Sequence, residues 1–423
     1  MKQKLILFLV LAIALNTMAF AGGQKEAKST VKGTTAISYA IWDRNQAPGM
    51  QAIIERFEEL NPDIKVSLEV STWSDYWTRL EAAATGGAMP DVFWMHANHI
   101  RKYAENNMLL PIGVRVKADP DLDYSNYPVG VTKVYEIGGV NYAIPKDFDT
   151  IGLCYNKRMF EAAGISYPDS SWDWNKLLDV AKQLTNESKG IYGFAAKASN
   201  QSGYYNIIYE FGGYVLNEDK TKSGFDQPET IEAIQFWHDL IHKHHVSPTI
   251  EQMADTKARN IFSSKKLAMY TMGSWRVTGL ANNEVTKEVA DIAVLPKMRT
   301  RASIYNGLGN SIAASTKHPE EAWRFVKFLG TKEANIIQAE SGAAIPAFKG
   351  TQEPWFNFRP NFNLKAFVEM LDYGVPYPTS KTGPKWVKFE SEMMLQILSG
   401  KVGVEEGCRQ IAAETNKWLA TEK

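Results

Sequence analysis

The chain has 423 residues, 44% hydrophobic and 22% charged, which is enough for two ordinary globular domains. Lys plus Arg and Asp plus Glu each total 47, so the formal net charge is zero. That balance argues against nucleic acid or an anionic membrane as the main partner, since both select basic surfaces, although it leaves room for a local patch. Cys154 and Cys408 are the only cysteines. The first sits in a buried-strand context and the second in a helical tail, so two separate thiols are expected, with a disulfide as the alternative.

Lys2 and Lys4 precede an apolar run over 5–15 that is short for a membrane span, and Ala19-Phe20-Ala21 fits a small-x-small cleavage pattern. Residues 1–21 therefore read as a signal peptide cleaved near Ala21, which directs the chain to the periplasm. No cysteine near the cleavage point offers a lipid attachment site. Residues 22–35 are small and polar and read as a flexible leader.

A first strand is predicted over 37–41. Pro48 suits a first helical turn, and Met50, Ile53, Ile54 and Phe57 then form an apolar helical stripe that Asn61-Pro62 ends. Ile64, Val66, Leu68 and Val70 alternate with polar residues, as in a half-buried strand. Ser74 is the expected cap of a helix carrying Trp77, Leu80 and Ala84, which Gly86-Gly87 stops. A strand over 91–95 and a helix with Ile100, Tyr103 and Ala104 on one face follow. This alternation implies βαβ units and a mainly parallel sheet.

A second α/β series begins near 142–155, with helices near 174–184, 229–243 and 254–263 and short strands near 267–271 and 292–295. A strand near 304–314 precedes a helix opened by Pro319, with Ala322, Phe325, Val326 and Leu329 on one face. The tail over 386–418 reads as helical and amphipathic.

Three of the early strands run into a tryptophan flanked by polar groups: Trp42-Asp43-Arg44, Trp73-Ser74-Asp75 and Trp94-Met95-His96. In open α/β sheets ligands sit beyond the carboxyl ends of the strands. Flat rings beside hydrogen-bonding groups there suit a sugar, whose apolar face stacks while its hydroxyls are bonded.

Several ordered blocks carry a family resemblance: 37–43 (ISYAIWD), Phe57-Glu58-Glu59-Leu60-Asn61-Pro62, Gly86-Gly87-Ala88-Met89-Pro90-Asp91-Val92, Ala143-Ile144-Pro145 with Leu153-Cys154-Tyr155-Asn156-Lys157, Phe211-Gly212-Gly213, Gly273-Ser274-Trp275, and Ser315-Thr316-Lys317-His318-Pro319-Glu320-Glu321-Ala322-Trp323. Together they resemble the family 1 extracellular solute-binding proteins, the sugar receptors of ABC importers. The resemblance implies a two-lobed periplasmic-binding-protein fold of type II, with a flanked, mainly parallel sheet in each lobe and hinge strands between. Lobe 1 would take 36–147 and 301–347, and lobe 2 would take 148–300 and 348–423. It further implies a monomer that binds a carbohydrate without catalysis or cofactor, then docks on membrane permease subunits.

The expected site comprises Trp42, Asp43 and Arg44 at the first strand end, Trp73 and Tyr76 on the next helix, and Met95, His96 and Asn98 after the third strand. Asp147 and Asp149 follow the Ile144-Pro145 block, with Asp149 as a charged acceptor. Tyr204, Trp275 and Trp386 would add rings, and Gly307 and Gly309 would bring backbone amides close. Two rival readings stay open. One is a secreted carbohydrate-active enzyme using Asp43 and Asp149 as paired carboxylates. The other is a metal-uptake receptor using His238, His242 and His245 at helical spacing.

Overall fold

The computed structural model describes residues 33–422, so the predicted signal peptide and most of the leader lie outside the described residues. The strands are β1 (Thr35–Ile41), β2 (Ile64–Val70), β3 (Val92–His96), β4 (Glu136–Ile137), β5 (Val140–Asn141), β6 (Ile144–Pro145), β7 (Ile151–Asn156), β8 (Tyr192–Ala195), β9 (Leu267–Gly273), β10 (Ala290–Ala293), β11 (Ser303–Tyr305), β12 (Leu308–Ile312) and β13 (Gly374–Pro376). β1 starts inside the stretch predicted as leader, because the Thr35 N–H donates to Asp63 O at 2.8 Å and pairing with β2 begins there.

One sheet runs β2-β1-β3-β12-β6 and the other β10-β7-β9-β8. β1 is parallel to β2 and β3, as strand–helix alternation predicts. The sheets as wholes are mixed rather than mainly parallel. β12 is antiparallel to both β3 and β6, and in the second sheet only β8 and β9 run together. Parallel pairing needs a crossover that returns to the same end of the sheet. β7 and β12 instead arrive from the other sheet and enter in the opposite sense.

The helices of the first lobe follow their predicted stripes. Helix Ala47–Leu60 buries Met50, Ile53, Ile54 and Phe57, and helix Pro319–Leu329 buries Ala322, Phe325, Val326 and Leu329. Helix Trp73–Gly86 begins one residue ahead of the expected cap. Thr72, not Ser74, accepts the Asp75 N–H, and Gly87 closes the helix at φ +67. The predicted tail helix is two helices, Gly383–Leu398 and Val404–Leu419, broken by Gly400 at φ +74.

β3 is buried on both faces, with Val92 and Trp94 in one hydrophobic cluster and Phe93 and Met95 in the other. The chain passes between the sheets after β6, again around β11, and once more past Pro346. These crossings lie side by side. The Asp149 N–H donates to Asn306 O at 2.8 Å, the Asn306 N–H donates to Asp149 O at 3.2 Å, and Asp147 bridges Pro346. Cys154 and Cys408 are both free and buried. Among the described residues no helix is long and apolar enough to cross a membrane.

Candidate functional site

The carboxyl ends of β1 and β3 bring the predicted rings of the first lobe together. Trp42 is half-buried and meets Trp73 at 5.1 Å and 90°, Tyr76 at 4.9 Å and Trp94 at 5.1 Å, centroid to centroid. Trp73 is 43% exposed, and its edge-to-face contact with His96 at 5.2 Å holds the ring on the rim. Asp43 is half-buried and accepts the Asn45 N–H at 2.9 Å, whereas Arg44 points to solvent.

His96 ends β3 and is buried. Its Nδ1 accepts the Asn98 N–H at 3.2 Å, and its Nε2 lies 2.8 Å from the Asn306 amide on the crossing strand. Burial, then repulsion from His99, pulls its pKa down to about 3; burial, then Lys102, does the same to His99, whose ring stacks on Trp77 at 3.7 Å. Both imidazoles are therefore expected to show unchanged ring resonances in NMR titration from pH 8 to 4, where a free imidazole titrates near 6.5. An unfolded chain takes up those protons below about 6.5 while the folded one does not, so this contribution to stability is lost as pH falls from there toward 3.

Asp147 and Asp149 sit on the crossing strand with different tasks. Asp147 is buried against Lys146, with Oδ2 2.6 Å from the ammonium and Oδ1 accepting the Leu308 N–H at 2.8 Å. The Lys146 Nζ also donates to Gln46 Oε1 at 2.9 Å and lies 4.4 Å from the Trp94 ring centroid. Asp147 is thus a structural ion pair rather than a ligand contact. Asp149 accepts from Gln201 Nε2 at 2.7 Å. Burial, reinforced by Asp147, holds its carboxyl well above the ordinary carboxylate range, which disfavours the charged acceptor expected there.

Across from these groups, a cavity of about 830 Å³ opens beside β9, within the range of small-molecule sites. Trp275 follows β9 and forms part of its wall. A Cβ on Gly273 would fall 1.9 Å from the Trp275 ring, so the indole folds back over a residue that must lack a side chain. Asn200 and Gln201, beyond the end of β8, also line the cavity and tie it to the first lobe. Gln201 reaches Asp149, while Asn200 donates to the Tyr377 hydroxyl at 2.9 Å, which faces Asn98 Nδ2 at 3.5 Å.

Several expected contacts are core instead. Tyr76 is buried and donates to Trp94 O at 2.6 Å, and Met95 falls on the inner face of β3 by strand alternation. Tyr204 is 1% exposed and donates to Glu390 Oε1 at 2.6 Å, one turn past the cavity-lining Asn200. Trp386 is equally buried and donates to Ser380 Oγ at 2.9 Å. Gly307 and Gly309 serve packing: added Cβ atoms would meet Asp147 O at 2.4 Å and Ala143 Cβ at 2.7 Å. The histidines do not converge on a metal. His238 and His242 stack at 4.3 Å, His242 Nε2 donates to Leu398 O at 2.9 Å, and His245 faces Glu187. Among the described residues no group of three His, Cys, Asp or Glu is placed to hold one.

Lys197, Asn200, Gln201, Arg276 and Tyr377 are missing from the sequence-derived site. The first three belong to the polar run Lys197-Ala198-Ser199-Asn200-Gln201-Ser202 beyond β8, the same strand-end signal that exposed Trp42. Nothing local marks Tyr377.

The family profile described as bacterial extracellular solute-binding protein matches residues 43–336. The chain belongs to that family. An ABC substrate-binding protein of Listeria monocytogenes, solved with cycloalternan, superposes with a TM-score of 0.86 at 24% identity, covering 92% of this chain and 99% of that one. A solute-binding protein of Thermotoga lettingae bound to α-D-tagatose gives 0.81 at 24% identity, covering 91% and 100%. The maltotriose-binding protein of Pyrococcus abyssi is 26% identical over 70% of this chain and 63% of its own length. The family member described here thus has the two-lobed fold of periplasmic binding proteins, as its sequence resemblance implies.

Proposed function

We propose that this solute-binding protein is the extracytoplasmic receptor of an ABC-type sugar importer. The observation that carries the reading is the division of the site. Trp42, Trp73, His96 and Asn98 stand on one lobe, Gln201 and Trp275 on the other, and Asp149 sits on the strand between them. Rings and neutral hydrogen-bonding groups on opposing lobes match a saccharide, and the named relatives bind maltotriose, cycloalternan and tagatose.

The lobes take 36–147 with 301–347 and 148–300 with 348–423, and Thr35 joins the first. A sugar docks on the first lobe and draws the second over it. That is a shift in population driven by contacts present only in the closed form. The protein is exported to the periplasm, with its signal peptide removed near Ala21. There it acts as a monomer, releases its sugar unaltered and hands it to the permease subunits.

The reading is tested by a thermal-shift and calorimetry screen over mono-, di- and oligosaccharides. A ligand at a hundred times its Kd stabilises by about 2.7 kcal/mol. Trp73→Ala removes the exposed ring and is expected to weaken the best ligand ~10-fold, the loss of about 1.4 kcal/mol that one stacking face supplies. No heat with any saccharide would end the proposal.

A further inference from the structure

The cavity beside β9 has an unusual charge. Lys197, Lys257, Arg259 and Arg276 line it, and among the described residues no aspartate or glutamate does. In a chain whose basic and acidic residues are equal in number, this concentrates one sign. The four come from separate places: Lys197 beyond β8, Lys257 and Arg259 at the start of helix Ala258–Ser263, and Arg276 in the turn after β9.

None of the four forms an ion pair with another described residue. Lys197 Nζ donates to the neutral Ser202 hydroxyl at 2.9 Å and stands 5.9 Å from the Tyr270 ring centroid on the cavity wall. Arg259 and Arg276 are close enough to repel, which lowers the basicity of Arg276 further after burial has done so. Asp43, on the first-lobe turn, is the one carboxylate acting on Arg276, and its Oδ1 is already engaged by the Asn45 N–H. Burial, then Arg276, pulls the Lys197 ammonium down to about 7. Holding like charges together without counter-ions costs stability unless something negative occupies the space between them.

Trp275 and the amides of Asn200 and Gln201 line the same cavity. A ligand there meets a stacking ring, neutral hydrogen-bond partners and an array of cations at once. From this we infer that the receptor takes an acidic saccharide, a sugar carrying a carboxylate, phosphate or sulfate group, with that anionic group held between Arg276, Arg259 and Lys197. Guanidinium forks match such oxyanions in bidentate geometry, while the ammonium serves as a point charge. The inference rests on the sugar-receptor reading and narrows its ligand class.

The test is calorimetry on the mature protein with matched pairs: D-galacturonate against D-galactose, digalacturonate against the galactobiose of the same linkage, and D-glucose 6-phosphate against D-glucose, with inorganic phosphate alone as a control. At least one acidic sugar should bind 10-fold or more tightly than its neutral partner, and the carboxylate and phosphate arms tell which group is preferred. Arg276→Gln and Arg259→Gln each remove one guanidinium from the cavity wall. Each should weaken the acidic ligand at least 10-fold and a neutral sugar by clearly less, and raising salt should mimic that differential loss. Neutral sugars binding as tightly as acidic ones would overturn the inference and leave the receptor reading intact. So would equal loss of both classes in the variants, or phosphate alone binding as well as the sugar phosphate. Failure of every saccharide would overturn both.

Discussion

Replacing Gly273 by alanine should cost about as much ligand affinity as removing Trp275 itself. Gly273 has φ −84 and ψ 152, an extended conformation that alanine adopts without strain. Its absent side chain is the space the indole fills: an added Cβ would lie 1.9, 2.1 and 2.3 Å from three carbons of the Trp275 ring. The ring must leave the cavity wall, and the stacking surface leaves with it. A buried aromatic anchor of this kind is worth about 2 kcal/mol, so G273A and W275A should each raise Kd ~30-fold. Because both changes remove one interaction, the double variant should be no weaker than either single one. Calorimetry on the three variants decides it; additive losses would mean that Gly273 acts on binding by a route other than the Trp275 ring.

The largest effect on stability is expected at the Lys146–Asp147 pair. Both side chains are buried, 2.6 Å apart, and Asp147 also anchors β12 through the Leu308 N–H. Asp147→Ala leaves a buried ammonium with only the Gln46 amide and the Trp94 face as company. Breaking such a pair from one side typically costs about 3–5 kcal/mol, whereas replacing both partners by apolar residues of similar volume is often nearly neutral. Urea denaturation should therefore find Asp147→Ala strongly destabilised and Lys146→Met with Asp147→Leu close to wild type, less the bond to Leu308. If the double variant were as unstable as the single one, the cost would lie in that backbone bond and not in the orphaned charge.

The legible parts of the fold were those with a period. The Met50-Ile53-Ile54-Phe57 stripe and the Ala322-Phe325-Val326-Leu329 stripe name their buried faces directly. Strand ends were equally readable, since Trp42, Asp43 and His96 all stand at the carboxyl ends of β1 and β3. The structure departs from expectation where place in the family pattern assigned a role. Tyr204 ends a wide π-helical segment, Asn200–Tyr204, in which Gly203 departs from helical geometry at φ −147 and ψ −115; the amides reach the cavity while the ring turns inward. Gly307 and Gly309 were expected to bring backbone amides close to a ligand, but Tyr135 crosses both, its hydroxyl 2.5 Å from Gly307 O and its ring 3.1 Å from a Cβ at Gly309. The cationic lining was invisible because it is assembled from segments far apart in the chain.

The uneven burial of the indoles gives the molecule a built-in optical gauge. Of twelve tryptophans, five are fully enclosed: Trp94, Trp174, Trp237, Trp355 and Trp386. Trp73 alone is exposed, and Trp42 and Trp275 are half-covered beside it or across from it. Emission from the enclosed rings should form a steady background, against which a wavelength change on adding ligand would report the few at the rim. Capture can thus be followed in the unlabelled protein, and Trp73→Phe would dim the signal at its source.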